Sequence, residues 1–80
     1  MDAAEERIKA LIGKQLGKAP SELLGSHALK EDLRADSMDF VALVVAFEDE
    51  LQVEVSDINA LKVKTVQDMI DLYRQLRVST

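Results

Sequence analysis

Apolar positions recur along the chain in three helical stretches, separated by two connections of different character. From Ala3 to Leu16, the residues Ile8, Leu11, Ile12 and Leu16 fall at i, i+3, i+4 and i+8, one stripe of a helix. Asp2 is placed to cap this helix, with Glu5 three residues on, and Gly17 is placed to end it. A second helix is predicted from Ser37 to Leu51, with Asp36 as N-cap and Asp39 imitating the far side of a capping box. The last helix follows Thr65, an N-cap with Asp68 at N3. Val66, Met69, Ile70, Tyr73 and Leu76 form its stripe, and it ends near Arg77.

The first connection, Gly17 to Ala35, has no sustained period and exceeds the ~12–15 residues usual for a structureless loop, which marks it as packed or functional. Leu23, Leu24, Ala28, Leu29 and Leu33 are expected to pack it onto the helices, with one short turn beginning at Pro20-Ser21. His27 reads as an ordinary loop residue. In the second connection, Gln52-Val53-Glu54-Val55 alternates and is expected to be extended; Ser56 or Asp57 then starts a brief helix through Leu61. The expectation is an all-α four-helix bundle, with three longer helices, a short third helix and a long first loop, as a single domain over residues 1–80.

The second helix is apolar on two sides. At 100° per residue, Phe40, Leu43, Val44, Phe47 and Leu51 fall within about 100° of one another and make the core stripe. Met38, Val41 and Val45 lie nearly opposite, with Ala42 beside them, where a surface helix is ordinarily polar. A domain of 80 residues has little room to bury a helix all round. Either the long loop covers this second face, or it is a partner site of the kind that charged residues rim.

Charge favours the partner site. The whole chain carries 10 basic and 15 acidic side chains, a net −5, which argues against nucleic acid as a ligand. Residues 31–57 hold nine of the acids and one base, Arg34, a local net of −8; the remainder of the chain is +3. The negative segment therefore coincides with the second apolar face, where Asp39, Glu48, Asp49 and Glu50 surround the patch or lie near it, a charge placement able to steer a basic partner. There is no cysteine and only one histidine, so disulfides, thiolate metal sites and histidine clusters are excluded. The longest apolar run, Val41 to Phe47, is far short of the ~20 residues of a membrane span. The acidic start, Met1-Asp2-Ala3-Ala4-Glu5-Glu6, is unlike a signal peptide, so the expected location is the cytoplasm.

Ser37 stands in the first turn of the second helix, directly after its cap residue. Serine is common at helix starts, and position alone says little. However, unpaired N–H groups and the positive end of the helix dipole there would stabilise a phosphate esterified to its hydroxyl.

The string from Leu33 to Leu51, with Arg34-Ala35-Asp36-Ser37-Met38-Asp39 at its head and Phe47-Glu48-Asp49-Glu50-Leu51 at its end, closely resembles the modification segment of acyl carrier proteins. That family is marked by Asp-Ser-Leu or Asp-Ser-Met at the start of an acidic second helix. The resemblance continues through Val53-Glu54-Val55-Ser56-Asp57 and Thr65-Val66-Gln67-Asp68, and it covers essentially the whole chain. It implies an acyl-carrier-like bundle in which Ser37 bears 4′-phosphopantetheine, transferred from coenzyme A by a phosphopantetheinyl transferase. The arm's thiol would hold acyl groups as thioesters, so that a cysteine-free protein does thiol chemistry through its cofactor. The carrier would be a monomer and not an enzyme. It would present its cargo to acyl-loading and acyl-processing synthase enzymes with basic docking patches. Met38, Val41 and Val45, rimmed by Asp36, Asp39, Glu48 and Asp49, would be the partner face. The resemblance also implies an acyl cavity between helices, for which Phe40, Leu43, Val44, Phe47, Ile58, Ala60 and Leu61 are the candidate lining.

Several residues depart from the pattern of fatty-acid-synthesis carriers. Ala42 stands where an acid is common, Phe40 where a smaller and often polar residue is usual, and Phe47 where an aliphatic is usual. Lys62 and Lys64 make the third-helix region less acidic. These departures point toward a specialised acyl or polyketide pathway as readily as toward general fatty acid synthesis. Arg34-Ala35-Asp36-Ser37 lacks the paired glycines that precede the attachment serine in peptidyl carriers.

Two further readings use the same residues. A helical adaptor would bind a protein stably through Met38, Val41 and Val45 and leave Ser37 unmodified. Glu48, Asp49 and Glu50 would bind a divalent cation weakly at most, since no calcium-loop pattern is present. Enzymatic chemistry has little to stand on, because one histidine and no Gly-rich phosphate loop make no catalytic constellation.

Overall fold

Four α-helices form where the periodicity places them. The computed structural model describes residues 3–78, with α1 at Ala3–Leu16, α2 at Ser37–Leu51, α3 at Asp57–Lys62 and α4 at Val66–Val78. The Asp2 cap expected for α1 lies outside the described residues. At its other end Gly17 adopts φ 70°, the left-handed conformation a helix terminator needs, and the Lys18 N–H reaches back to the Gly13 carbonyl at 2.9 Å. The expected boundary of α4 near Arg77 is met within one residue.

The caps read from the sequence are made as expected. The Asp36 carboxylate accepts from the Asp39 N–H at 2.8 Å, and the Asp39 carboxylate accepts in return from the Asp36 N–H at 3.2 Å. At α4, Asp68 Oδ2 accepts from both the Lys64 and Thr65 amides at 3.0 Å, while Thr65 Oγ1 accepts from the Asp68 N–H at 3.1 Å. At α3, Ser56 Oγ is the cap, accepting from the Asn59 N–H.

Ile8, Leu11 and Ile12 from α1 meet Leu43 and Phe47 from α2 and Val66, Met69, Ile70 and Tyr73 from α4 in one buried cluster. The Phe47 and Tyr73 rings meet edge to face, 6.2 Å between centroids, an arrangement that contributes about 0.5–1.5 kcal/mol beyond burial. Phe40, Val44 and Leu51, the rest of the expected core stripe of α2, are half-buried.

The long loop is ordered by backbone bonds that leave no periodic trace in the sequence. After a single 3-10 turn at Pro20–Glu22, it crosses to the start of α4. There Gly25 and His27 carbonyls accept from the Gln67 and Val66 amides, and the Leu29 N–H donates to the Lys64 carbonyl at 2.9 Å. Ala28 and Thr65 make an isolated antiparallel bridge, the sole β-type pairing among the described residues. Leu23, Leu29 and Leu33 are buried as expected. Leu24 is not: it is exposed, in a turn where its N–H donates to His27 Nδ1 at 3.1 Å. His27 thus has a structural part, closing a turn with its ring and holding α4 with its carbonyl.

Candidate functional site

The loop delivers the chain to α2 under tight local control. Asp32 Oδ2 accepts from the Ala28 N–H at 2.7 Å, and the Asp32 and Leu33 amides both return to the Ala28 carbonyl. Arg34 then takes φ 59°, a left-handed conformation costly for a residue with a Cβ. That turn allows Ala35 to bury its methyl and donate its N–H to the Leu29 carbonyl at 2.9 Å. Asp36 follows as an extended cap, and Ser37 is the first helical residue.

Ser37 is exposed, and its hydroxyl makes no hydrogen bond among the described residues. The Asp36 side chain takes the Asp39 amide and the Asp36 carbonyl takes the Phe40 amide. The Ser37 and Met38 amides have no protein acceptor among the described residues. A free hydroxyl, two free amides and the positive end of a 15-residue helix suit a phosphodiester on Ser37 Oγ.

Beside it the second apolar face of α2 is open. Met38 is 81% exposed, Val41 59% and Val45 56%, so the loop does not cover them. On α3, Ile58 and Leu61 are also exposed. The rim residues fall into two kinds. Asp36 and Asp49 are exposed, Asp36 while its carboxylate accepts from the Asp39 N–H; Asp39 and Glu48 are half-buried, Asp39 bonded in the cap and Glu48 to the Val55 N–H at 2.9 Å. The weak cation site at Glu48, Asp49 and Glu50 is not assembled. Glu48 faces the connection to α3, Glu50 lies 3.7 Å from Lys14 on α1, and among the described residues no three candidate ligands gather as a metal site.

A cavity of about 350 Å³ opens between α2, α3 and the loop, lined by Leu29, Lys30, Glu31, Phe40, Ala60, Leu61, Val63 and Lys64. Of the lining expected from the sequence, Phe40, Ala60 and Leu61 are there. Leu43 and Phe47 are not, because they lie wholly in the core; Val44 does not line it either, and Ile58 faces solvent. Leu29, Lys30, Glu31, Val63 and Lys64 were not foreseen. They arrive through the loop's bond to residue 64, a pairing distant in sequence that carries no local signal.

The family model for the phosphopantetheine attachment site matches residues 6–73, most of the chain and all of this site. The fold is shared with a solved chain from Mycobacterium tuberculosis that is provisionally assigned as an acyl carrier protein. The two are 30% identical, with a TM-score of 0.79 over 98% of this chain and 100% of that one. No described helix is long and apolar enough to cross a membrane. On sequence, on fold and on the geometry around Ser37, the chain belongs to the phosphopantetheine-attachment family, whose members hold 4′-phosphopantetheine covalently, and it is of the acyl carrier kind, a carrier and not an enzyme.

Proposed function

We propose that Ser37 is the attachment residue and that the arm it bears carries acyl groups as thioesters in a fatty acid, specialised acyl or polyketide pathway. The observation that carries this reading is the unbonded, exposed hydroxyl at the start of a capped helix, next to an exposed apolar patch. In the transfer, Ser37 Oγ forms a bond to the phosphorus next to pantetheine in coenzyme A. The pyrophosphate link breaks, adenosine 3′,5′-bisphosphate leaves, and the serine proton passes to a base of the phosphopantetheinyl transferase. This chain would contribute the positioned hydroxyl and the first-turn amides of α2, whose free N–H groups and helix dipole would stabilise an attached phosphate.

Carriers of this family work with synthase enzymes. Here Met38, Val41 and Val45 supply the desolvating contact, and the acids about them, with Asp36 and Asp49 the most exposed, speed encounter with basic partners. A patch of this size favours short residence, which suits a shuttle that must leave each enzyme after each step. The chain acts as a monomeric, single carrier unit over residues 1–80 in the cytoplasm. Its lack of cysteine and its acidic surface fit that setting.

Intact-protein mass before and after incubation with coenzyme A and a promiscuous phosphopantetheinyl transferase tests the reading. The expected result is a gain of one phosphopantetheine, mapped to the peptide holding Ser37 and absent in Ser37→Ala. No gain, with a second carrier modified in parallel, would sink it in favour of an unmodified adaptor.

A further inference from the structure

We propose that Arg34 is the counter-ion of the phosphodiester borne by Ser37 and restrains the root of the arm at the head of α2. The proposal rests on the attachment reading of Ser37. Arg34 is the one base among residues 31–57, against nine acids. It is exposed, and among the described residues its guanidinium makes no hydrogen bond and no ion pair. The acids nearest to it in sequence do not claim it. Asp32 is bonded to the Ala28 N–H, Asp36 and Asp39 complete each other's cap, and the exposed Glu31 makes no ion pair with it. A free cation thus stands in the acidic segment, three residues before the hydroxyl that takes the phosphate.

The backbone fixes where that side chain is rooted. At φ 59° Arg34 holds a conformation that glycine adopts without steric cost and a residue with a Cβ does not. The turn is tied down on both sides. The Leu33 N–H returns to the Ala28 carbonyl at 3.1 Å, and the Ala35 N–H donates to the Leu29 carbonyl at 2.9 Å. Leu33 and Ala35 are both buried, so Arg34 is an exposed residue anchored between two that cannot shift without opening the core. Three residues of chain span at most about 10 Å. A phosphate on Ser37 is therefore within reach of a long side chain rooted at residue 34.

Attachment creates the demand for a cation. A diester brings one more negative charge to a segment whose net is already −8, and Asp36 and Asp39 carry the same sign on either side of Ser37. The free Ser37 and Met38 amides and the helix dipole offset part of that repulsion. The guanidinium adds a full positive charge and a planar fork of donors matched to phosphate oxygens, which the point charge of a lysine does not reproduce. Because the pair lies at the surface, its effect is small and sensitive to salt. Its consequence is positional: Arg34 restrains the first bonds of an arm that would otherwise turn freely about one exposed hydroxyl.

The test compares the unmodified (apo) and arm-bearing (holo) forms of the unmutated protein, Arg34→Gln, Arg34→Lys and Arg34→Gly, with attachment verified by intact mass. In the unmutated protein the Arg34 Nε–Hε signal in a proton–nitrogen NMR correlation should shift on attachment, and high salt should return it toward its apo position. The change in Tm from apo to holo should be less favourable by about 2–5 °C in Arg34→Gln and Arg34→Gly, with Arg34→Lys between them and the unmutated protein. Apo Arg34→Gly should be no less stable than the unmutated apo protein, because the left-handed turn suits it, so strain and charge are read separately. Referring each variant to its own apo form removes the intrinsic cost of the substitution. An Nε–Hε signal indifferent to attachment, or the same apo-to-holo change in every variant, overturns the proposal and leaves the attachment reading standing. If those readouts are flat while the KM of the transferase for Arg34→Gln rises, the guanidinium meets an acid of the partner instead, and the proposal is equally overturned. Failure of the unmutated protein to accept an arm at Ser37 overturns both.

Discussion

Glu48→Ala separates two parts that one side chain plays on the acidic helix. Its carboxylate is one of the acids of the proposed partner rim, and Oε2 also accepts from the Val55 N–H at 2.9 Å in a half-buried setting. That bond fastens the connection between α2 and α3 to the last turn of α2. The Glu48 carbonyl, which takes the Gln52 and Val53 amides, works beside it. A hydrogen bond to a charged group contributes about 1.5–3 kcal/mol net, and partial exposure puts this one at about 1–2 kcal/mol. In a domain of this size 1 kcal/mol moves Tm by about 4–8 °C, so Glu48→Ala should lower it by roughly 4–15 °C.

Glu48→Gln keeps an acceptor oxygen and drops the charge, so it should lose no more than about half of that. Asp49→Ala, whose exposed carboxylate has no partner among the described residues, should stay within about 0.5 kcal/mol. Thermal denaturation of the three variants is read together with amide hydrogen exchange. Because no residue of α3 is buried, the loss should be concentrated there. Exchange should quicken at Val55 and through α3 in Glu48→Ala, with α1 and α4 slowed or quickened only as far as global stability changes. If Glu48→Ala matches Asp49→Ala in both readouts, or if Glu48→Gln is as damaged as Glu48→Ala, the strut assignment is wrong.

Two other substitutions probe the patch and the packing of α1. Met38→Glu and Val41→Glu place a charge on a surface already open to solvent, so stability should change by no more than about 0.5 kcal/mol. Affinity for the transferase should nevertheless drop, as measured by the KM for the carrier; unchanged KM in both would remove the patch from recognition. Gly13→Ala would raise helix propensity by about 1 kcal/mol at an open site. Here the new methyl would collide with the Lys18 carbonyl oxygen where the chain folds back after Gly17, so the sign reverses to a loss of about 1–3 kcal/mol. A urea midpoint that rises in Gly13→Ala would refute the close approach.

The helices and their caps were legible because their signals are local. Asp36 and Asp39, Thr65 and Asp68, and the i, i+3, i+4 spacing of Ile8, Leu11 and Ile12 each lie within one or two turns, and each is found as read. The two-sided apolar character of α2 was legible for the same reason; of the two outcomes it left, cover by the loop or an open face, Met38, Val41 and Val45 are open. What escaped depends on pairs far apart in sequence. Leu29 meets residue 64 through a backbone bond that any residue type can make, so the part of Lys30, Glu31 and Val63 in the cavity had no signature. Leu43 and Phe47 lie in the core, where their helical stripe places them, and not in the cavity lining that the resemblance implied. Leu24 was misassigned because hydrophobicity cannot say which of two adjacent leucines a turn will expose.

α2 divides its circumference among tasks that would interfere if they shared residues. Leu43 and Phe47 face inward and hold the helix to α1 and α4, so a partner pressing on Met38 and Val41 meets a surface whose removal costs the core nothing. Asp36 and Asp39 are engaged in the cap and Glu48 in the strut, which leaves Asp49 as the rim acid whose carboxylate has no internal bond among the described residues. Mutational scans that read every acid on this helix as a docking contact would therefore confuse loss of structure with loss of recognition. The charge-neutral, acceptor-keeping change at Glu48 is the substitution that tells them apart. Phe40 lies on the boundary between these sectors, half in the core and half in the cavity, one turn from Ser37.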